Sequence, residues 1–159
     1  MIQVGQKIDT SLSLKIVENG SERTVSLAEI LTKPFVISVY MKNNTSSCDN
    51  QNKSLVEFTE QISAKGFGIL SLSKDTCGSH LKYAAKHGIS YVLASDPDQK
   101  FPEITDSIVE KSMYGKKYFG ASRSAFVIDT DGTVLAIIEK VDSKNHGQQV
   151  LDALDSIRK

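Results

Sequence analysis

The chain has 159 residues, 40% hydrophobic and 24% charged, with 19 basic and 19 acidic side chains, which fits one ordinary globular domain over residues 1–159. The charge balance argues against nucleic acid or an anionic membrane surface as the main partner, and no apolar run approaches the roughly 20 residues that a membrane-spanning helix needs. With two cysteines and no basic-then-apolar signal pattern at the N-terminus, we expect a reducing, cytoplasmic location.

The chain alternates between strand-like and helix-like segments. Apolar residues alternate or run continuously in the predicted strands, and they recur every three or four residues in the predicted helices. The predicted strands are residues 12–18, 22–25, 35–40, 67–72, 91–94, 124–128 and 133–139. The predicted helices are residues 26–31, 52–65 and 79–87, and a terminal helix that carries Val150, Leu151, Leu154 and Ile157. The stretch from 99 to 123 is expected to be irregular.

Local signals support this order of elements. Asn19-Gly20 joins the first two strands and Asp131-Gly132 joins the last two; Asn-Gly is the strongest short signal for a hairpin turn. Ser26 and Glu29 have the spacing of a capping box, which predicts the start of the first helix.

The two apolar strands at 35–40 and 67–72 are joined through a helix and should therefore be parallel. Their carboxyl ends then lie at the same edge of the sheet, which is where open α/β folds place their sites. A βαβαβ unit, a hairpin and a closing helix follow the thioredoxin-like order. We predict an α/β protein with a thioredoxin-like fold, in which helices flank a mixed central sheet.

Cys48 stands between the buried strand 35–40 and the predicted helix 52–65. The partial positive charge of a helix N-terminus favours the thiolate, which is the reactive form. Cys77 follows strand 67–72 at the same edge, so a two-cysteine site is expected. The cysteine spacing excludes both the Cys-x-x-Cys redox motif and a standard zinc site, and the three histidines are expected at the surface or at helix caps. No metal and no cofactor is predicted.

Thr45 and Cys48 fill the last two fixed places of the motif Pro-x-x-x-Thr-x-x-Cys, and Arg123 precedes the first strand of the C-terminal hairpin. With these residues and this order of elements, the chain resembles the peroxiredoxins, specifically the Q type that is related to bacterioferritin comigratory proteins. The resemblance extends over nearly the whole chain and implies a peroxiredoxin variant with an N-terminal hairpin.

Several positions depart from the family pattern. Met41 replaces the motif proline, which alters the wall beside the cysteine. Ser46-Ser47 replaces the usual Pro-Gly and predicts a more flexible loop. Gln51 replaces a carboxylate that many relatives carry three residues after the cysteine.

The resemblance implies reduction of hydrogen peroxide or of an organic hydroperoxide. The Cys48 thiolate would attack one peroxide oxygen and become a sulfenic acid. Arg123 would hold the thiolate and stabilise charge on the oxygens, and the Thr45 hydroxyl would align the peroxide. A thioredoxin-like protein is the expected reductant, and the expected state is a monomer or a weak homodimer.

The step that resolves the sulfenic acid is left open. Lys53 stands where many relatives carry a resolving cysteine, and Ala84 corresponds to the place used by others. One hypothesis is a disulfide between Cys48 and Cys77, which requires the first turn of the Cys48 helix to unwind; the polar segment 43–52 is expected to open easily. The rival is a one-cysteine cycle in which an external thiol attacks the sulfenic acid.

Two other classes of function were weighed. A thiol–disulfide oxidoreductase is disfavoured by the missing Cys-x-x-Cys motif and by the presence of Thr45 with Arg123. A peroxidase-inactive binding or chaperone-like domain on the same fold is supported only by Met41 in place of the proline.

Overall fold

The structure is a computed structural model and describes residues 1–157, apart from the side chain of Met113. The strands are β1 (Ser13–Glu18), β2 (Ser21–Ser26), β3 (Phe35–Val39), β4 (Gly68–Ser73), β5 (Val92–Ser95), β6 (Ile108–Met113), β7 (Lys116–Ala121), β8 (Ser124–Ile128) and β9 (Val134–Ile138). The helices are α1 (Leu27–Ile30), α2 (Ser46–Ala64), α3 (Cys77–His87), α4 (Lys100–Ile104) and α5 (His146–Ile157). Within residues 1–157, no helix has the length and apolar character needed to cross a membrane.

Seven strands form one mixed sheet in the order β2-β1-β5-β4-β3-β8-β9, and β6 pairs with β7 in a separate hairpin. β4 lies parallel to β3 on one side and to β5 on the other. β8 pairs antiparallel with both β3 and β9. The predicted parallel pairing at the centre and the thioredoxin-like α/β fold are confirmed.

Two apolar cores cover the two faces of this sheet. Helices α2, α3 and α5 pack on one face, where Leu55, Leu93 and Val150 are fully buried. Residues of α1 and α4 contribute to the core on the other face, which includes the edge-to-face pair Phe101 and Phe126 with ring centroids 5.6 Å apart. β3 is buried along its whole length, as a strand covered on both faces should be.

The short-range predictions near the N-terminus are confirmed. Asn19 and Gly20 have φ values of 53° and 76°, the left-handed conformation that a two-residue hairpin turn requires. The backbone N–H of Ser26 donates to Glu29 Oε1 at 3.1 Å, and the N–H of Glu29 donates to Ser26 Oγ at 3.3 Å. This reciprocal pair is the capping box that starts α1.

Helix α2 begins at Ser46, six residues before the predicted start near Asn52. Its first turns are polar in sequence, and polar Ser and Asn residues have low helix propensity. Gln51 and Asn52 are nevertheless buried: Gln51 Nε2 donates to Ser38 Oγ at 2.9 Å, and Asn52 Oδ1 accepts from Ser71 Oγ at 2.8 Å. Tertiary hydrogen bonds therefore override local propensity in this segment.

The stretch predicted to be irregular contains α4 and the β6–β7 hairpin. Tyr114 and Gly115 form its turn, with φ values of 52° and 77°. A tyrosine is rarely found in the left-handed region, so this turn lacks the Asn-Gly or Asp-Gly signature that identified the other hairpins.

Candidate active site

Cys48 is the third residue of α2 and lies inside the first helical turn, with 1% of its surface exposed. Two donors reach its sulfur: the backbone N–H of Met41 at 3.4 Å and Arg123 Nη2 at 3.7 Å. The helix N-terminus, the guanidinium and the backbone N–H all present positive charge or partial charge to this sulfur. The structure therefore brings together Cys48 and Arg123, as the sequence predicted.

Arg123 stands between β7 and β8, and its guanidinium is held from both sides. Nη1 donates to Ser143 Oγ at 3.2 Å while Nη2 faces Cys48. Nε is buried and has no hydrogen-bond partner among the described residues. Ser143 lies in the loop after β9, 20 residues from the arginine along the chain, and no sequence pattern marked it.

Thr45 occupies the N-cap position of α2, but its side chain makes no capping hydrogen bond. Its hydroxyl donates to the carbonyl of Lys42 at 2.8 Å instead. The Asp49 carboxylate accepts the backbone N–H of Asn44 at 3.1 Å, which ties the loop before α2 to the first turn of the helix. Thr45 is exposed, which leaves its hydroxyl oxygen accessible to a ligand.

A cavity of about 390 Å³ opens beside Thr45 and Met41. Lys111 of β6 reaches into it and its ammonium group contacts Met41 Sδ at 2.8 Å. Much of the remaining lining is apolar and comes from β3, β4, α4 and β7: Val39, Leu72, Pro102, Phe119 and Ala121. Lys111 was not predicted because the β6–β7 hairpin was not predicted: Tyr114-Gly115 is not a turn signature, and only the two strand-length segments around it were available as a signal.

A buried hydrogen-bond network ties the loop before Cys48 to the start of α3. Tyr40 Oη donates to Asn43 Oδ1 at 2.6 Å, and Asn43 Nδ2 donates to Ser79 Oγ and to His80 Nδ1, each at 3.1 Å. The backbone N–H of Asn43 donates to Asp75 Oδ2 at 2.9 Å. Asn43 is therefore the central residue of a connection between the two strand–helix turns of the site.

Two of the three histidines are fully buried, so the expectation that they lie at the surface or at caps was wrong for His80 and His146. Burial lowers the pKa of both, and that of His146 to about 4. His146 Nε2 lies 2.9 Å from Ser38 Oγ, which also accepts from Gln51 Nε2. The sequence did not signal this placement because the partners come from β3 and α2, far along the chain.

Cys77 is the first residue of α3 and is buried. It lines a different cavity, together with Lys15 and Glu22 of the N-terminal hairpin. Burial raises the pKa of its thiol, and the negative charge of Glu22 raises it further. The hairpin that lines this second cavity begins with β1, whereas Cys48 follows β3. β1 and β3 are three strand spacings apart in the sheet, on the order of 14 Å. Both cysteines are free, and the structure does not place Cys77 with Arg123 and Thr45.

Comparison with known proteins agrees with this geometry. Residues 4–137 match the AhpC/TSA family. The chain is 34% identical over 119 residues to Peroxiredoxin Bcp of Xanthomonas campestris, covering 75% of this chain and 74% of that protein. It is 30% identical to Peroxiredoxin Bcp of Bacillus subtilis, covering 96% and 95%. The structure aligns with that of the Xanthomonas campestris bacterioferritin comigratory protein with a TM-score of 0.87 at 28% identity, and the alignment covers 99% of this chain and 100% of the other. That protein is described for its alkyl peroxide reduction activity.

Proposed function

Because this chain belongs to the peroxiredoxins of the AhpC/TSA family, which are thiol-dependent peroxidases, we propose that Cys48 is its peroxidatic nucleophile and that Arg123 and Thr45 serve the reaction. One observation carries the assignment: Arg123 Nη2 lies 3.7 Å from a cysteine sulfur in the first turn of a helix. The immediate partners of that sulfur are a cation and a backbone N–H rather than a second thiol, which favours a peroxide substrate over a disulfide.

The chemistry follows from these positions. The Cys48 thiolate attacks the terminal oxygen of the hydroperoxide; the S–O bond forms as the O–O bond breaks. Sulfur is oxidised to a sulfenic acid, and the other oxygen leaves as hydroxide or alkoxide and takes up a proton. Arg123 stabilises the negative charge that spreads over the oxygens, and the Thr45 hydroxyl donates to or accepts from the bound peroxide.

The proposed substrates are hydrogen peroxide and organic hydroperoxides. The cavity next to Thr45 supports the second class, because it is large enough for an organic group and its walls include Leu72, Pro102 and Phe119. Apolar surface on the substrate would be removed from water there, at about 25 cal/mol per Å².

We further propose that Cys77 resolves the sulfenic acid as a disulfide, which a thioredoxin-like partner then reduces. The support is that α2 and α3 are in contact, with Tyr83 Oη donating to Asp49 Oδ1 at 2.7 Å, and that each cysteine lies in a first turn. A disulfide needs Cα atoms within about 7 Å. The burial and hydrogen bonding of Asn43 and of Gln51 and Asn52 on α2 count against the easy opening that the sequence suggested.

Non-reducing peptide mapping tests the resolving step separately from the peroxidatic one. After one equivalent of hydroperoxide, the proposal expects a linked Cys48–Cys77 peptide. A sulfenic or sulfinic acid on Cys48 with Cys77 still free would establish the one-cysteine cycle instead, with an external thiol as the resolving group.

The reaction is proposed to take place in a reducing, cytoplasmic compartment, in a monomer or a weak homodimer. The free state of both cysteines supports the first part, and the contact between Arg123 and Cys48 within one chain supports the second.

Replacement of the two cysteines one at a time tests the function. Cys48→Ser should abolish hydroperoxide consumption with a dithiol reductant while circular dichroism shows the parent fold. Cys77→Ser is the matched control, and it should retain the first turnover. A Cys48→Ser protein that consumes hydroperoxide at the parent rate would rule out the assignment.

A further inference from the structure

Lys111 lines the cavity beside Thr45, and the mechanism above does not use it. Lys111 projects from β6, its ammonium group contacts Met41 Sδ at 2.8 Å, and the backbone N–H of Met41 donates to Cys48 Sγ at 3.4 Å. One residue therefore separates the ammonium group from the reactive sulfur. Lys111 is half-buried and lines the same cavity as Thr45.

Within residues 1–157, no carboxylate forms an ion pair with Lys111. Asp96 lines the same cavity, but its oxygens accept the backbone N–H groups of Lys100 at 2.9 Å and Phe101 at 3.0 Å. The charges that act on Lys111 are those of Arg123, Cys48 and Lys74, in decreasing order, and the cations Lys42 and Lys74 line the same cavity.

An unpaired, partly desolvated ammonium group is unfavourable unless an anion visits it. The anions that the reaction itself creates are the Cys48 thiolate and the leaving oxygen of the hydroperoxide. Burial, and then the charge of Arg123, lower the pKa of Lys111 from its ordinary 10.5, while the charge of Cys48 raises it. A lowered pKa makes a lysine a better proton donor.

Resting on the assignment of Cys48 as nucleophile, we propose that Lys111 is a further catalytic residue, which donates a proton to the leaving oxygen of a hydroperoxide bound in this cavity. The terminal oxygen stays on sulfur with its hydrogen as the sulfenic acid. The leaving alkoxide or hydroxide takes the proton from Lys111, which then recovers one from water. Met41 holds the ammonium group in position through its thioether, which the proline of the family motif could not do.

The proposal predicts a particular pH dependence. The rate of Cys48 oxidation falls at alkaline pH as Lys111 loses its proton, below the ordinary lysine value of 10.5. An arginine at this position stays protonated throughout that range. Lys111→Arg should therefore keep much of the rate at neutral pH and lose the alkaline fall, which a purely structural lysine would not produce.

The experiment measures second-order rate constants for oxidation of Cys48 by tert-butyl hydroperoxide across pH, by rapid quench and mass spectrometry, in a Cys77→Ser background. Lys111→Met should lower the neutral rate by roughly 10²-fold and abolish the alkaline fall. The matched control is Lys117→Met, since Lys117 lies in the same hairpin, is 80% exposed and pairs with Glu110; it should match the parent. Thermal unfolding of each variant checks the fold.

Two outcomes overturn the proposal. If Lys111→Met has the parent rate and the parent pH profile, Lys111 takes no part in the reaction. If Lys111→Met is slower and less stable but keeps the alkaline fall, Lys111 is a structural residue of the hairpin. A parent protein whose Cys48 does not react with hydroperoxide at all overturns the proposed function itself, so the two failures are distinguishable.

Discussion

Cys48 and Cys77 each lie in the first turn of a helix that follows a parallel strand, and each is buried. Arg123 and a backbone N–H reach the sulfur of Cys48. Cys77 instead lies beside Lys15 and Glu22, and burial raises the pKa of its thiol. Both cysteines share the helix N-terminus, so that feature does not distinguish the two thiols. The two thiols differ in the groups that surround them, and these groups come from elements distant in sequence, above all from Arg123 ahead of β8.

The largest expected effect comes from removing that arginine. Arg123→Ala should lower the second-order rate constant for oxidation of Cys48 by on the order of 10²-fold, because charge on the peroxide oxygens is no longer stabilised. The rate constant of Arg123→Lys should lie between those of the parent and of Arg123→Ala, because lysine keeps the charge and loses the fork of donors. Rapid-quench mass spectrometry measures both. The matched control is Arg23→Ala, because Arg23 is exposed and pairs with Glu18 at 3.0 Å; an Arg123→Ala rate equal to that control would assign Arg123 to structure.

The next effect concerns the buried hydrogen bonds that join His146, Ser38 and Gln51. The pKa of His146 is lowered by burial to about 4, so the folded state binds its proton less readily than the unfolded state, whose value is about 6.5. The stabilising contribution of neutral His146 is therefore complete above about pH 6.5 and is lost as the pH falls toward 4. We expect a loss of roughly 2 kcal/mol at about pH 5, or about 30-fold in the folding equilibrium.

Urea titrations at a series of pH values measure this effect. His146→Gln removes the titrating group and can still hydrogen-bond to Ser38, so its free energy of unfolding should depend less steeply on pH. His80, also buried and with a lowered pKa, contributes part of the remaining slope. An unchanged slope in His146→Gln would show that His146 does not drive the acid sensitivity.

Alkylation compares the two thiols directly. At neutral pH, iodoacetamide should modify Cys48 faster than Cys77 by about tenfold or more, because only the thiolate reacts and burial disfavours the Cys77 thiolate. Quantitative peptide mass spectrometry measures both rates in one sample. In urea the ratio should approach one; a ratio near one in the folded protein would mean that the two surroundings do not differ in reactivity.

The smallest effect is expected at Thr45. Thr45→Val keeps the shape and removes the hydroxyl, so the rate of peroxide attack should fall by several-fold to about tenfold. This factor corresponds to the net free energy of one hydrogen bond. Thr45→Ser should remain close to the parent. Thr59→Val is the matched control, since the Thr59 hydroxyl donates to a helix carbonyl at 2.8 Å away from the site. If Thr45→Val reacts as fast as Thr59→Val, the hydroxyl does not align the peroxide.

The fold was predictable where the information is local. The turn at Asn19-Gly20 and the capping box at Ser26 and Glu29 depend on residues within a few positions of each other, and both are found. The β6–β7 hairpin was missed, because Tyr114 at a positive φ gives no turn signature. Its conformation is set by the hairpin as a whole rather than by the preference of that residue.

The site residues divide in the same way, into those that a sequence pattern indicated and those that depend on tertiary contacts. Thr45 and Cys48 were identified from a motif and Arg123 from its place ahead of the C-terminal hairpin, and the structure places Cys48 and Arg123 together and Thr45 at the start of the same helix as Cys48. Ser143 and Lys111 were not predictable, because each comes from a separate segment and reaches the site through a contact with Arg123 or with Met41. Such contacts depend on tertiary placement, which periodicity and spacing do not encode.

The most direct measurement of the central claim, that Cys48 and not Cys77 attacks peroxide, is a single turnover on the two single-cysteine proteins. Each receives one equivalent of hydroperoxide, and the oxidised residue is identified by mass spectrometry. The account predicts rapid oxidation of Cys48 in Cys77→Ser and no oxidation of Cys77 in Cys48→Ser on the same timescale. Rapid oxidation of Cys77 in Cys48→Ser, with Cys48 left reduced in the other protein, would contradict it.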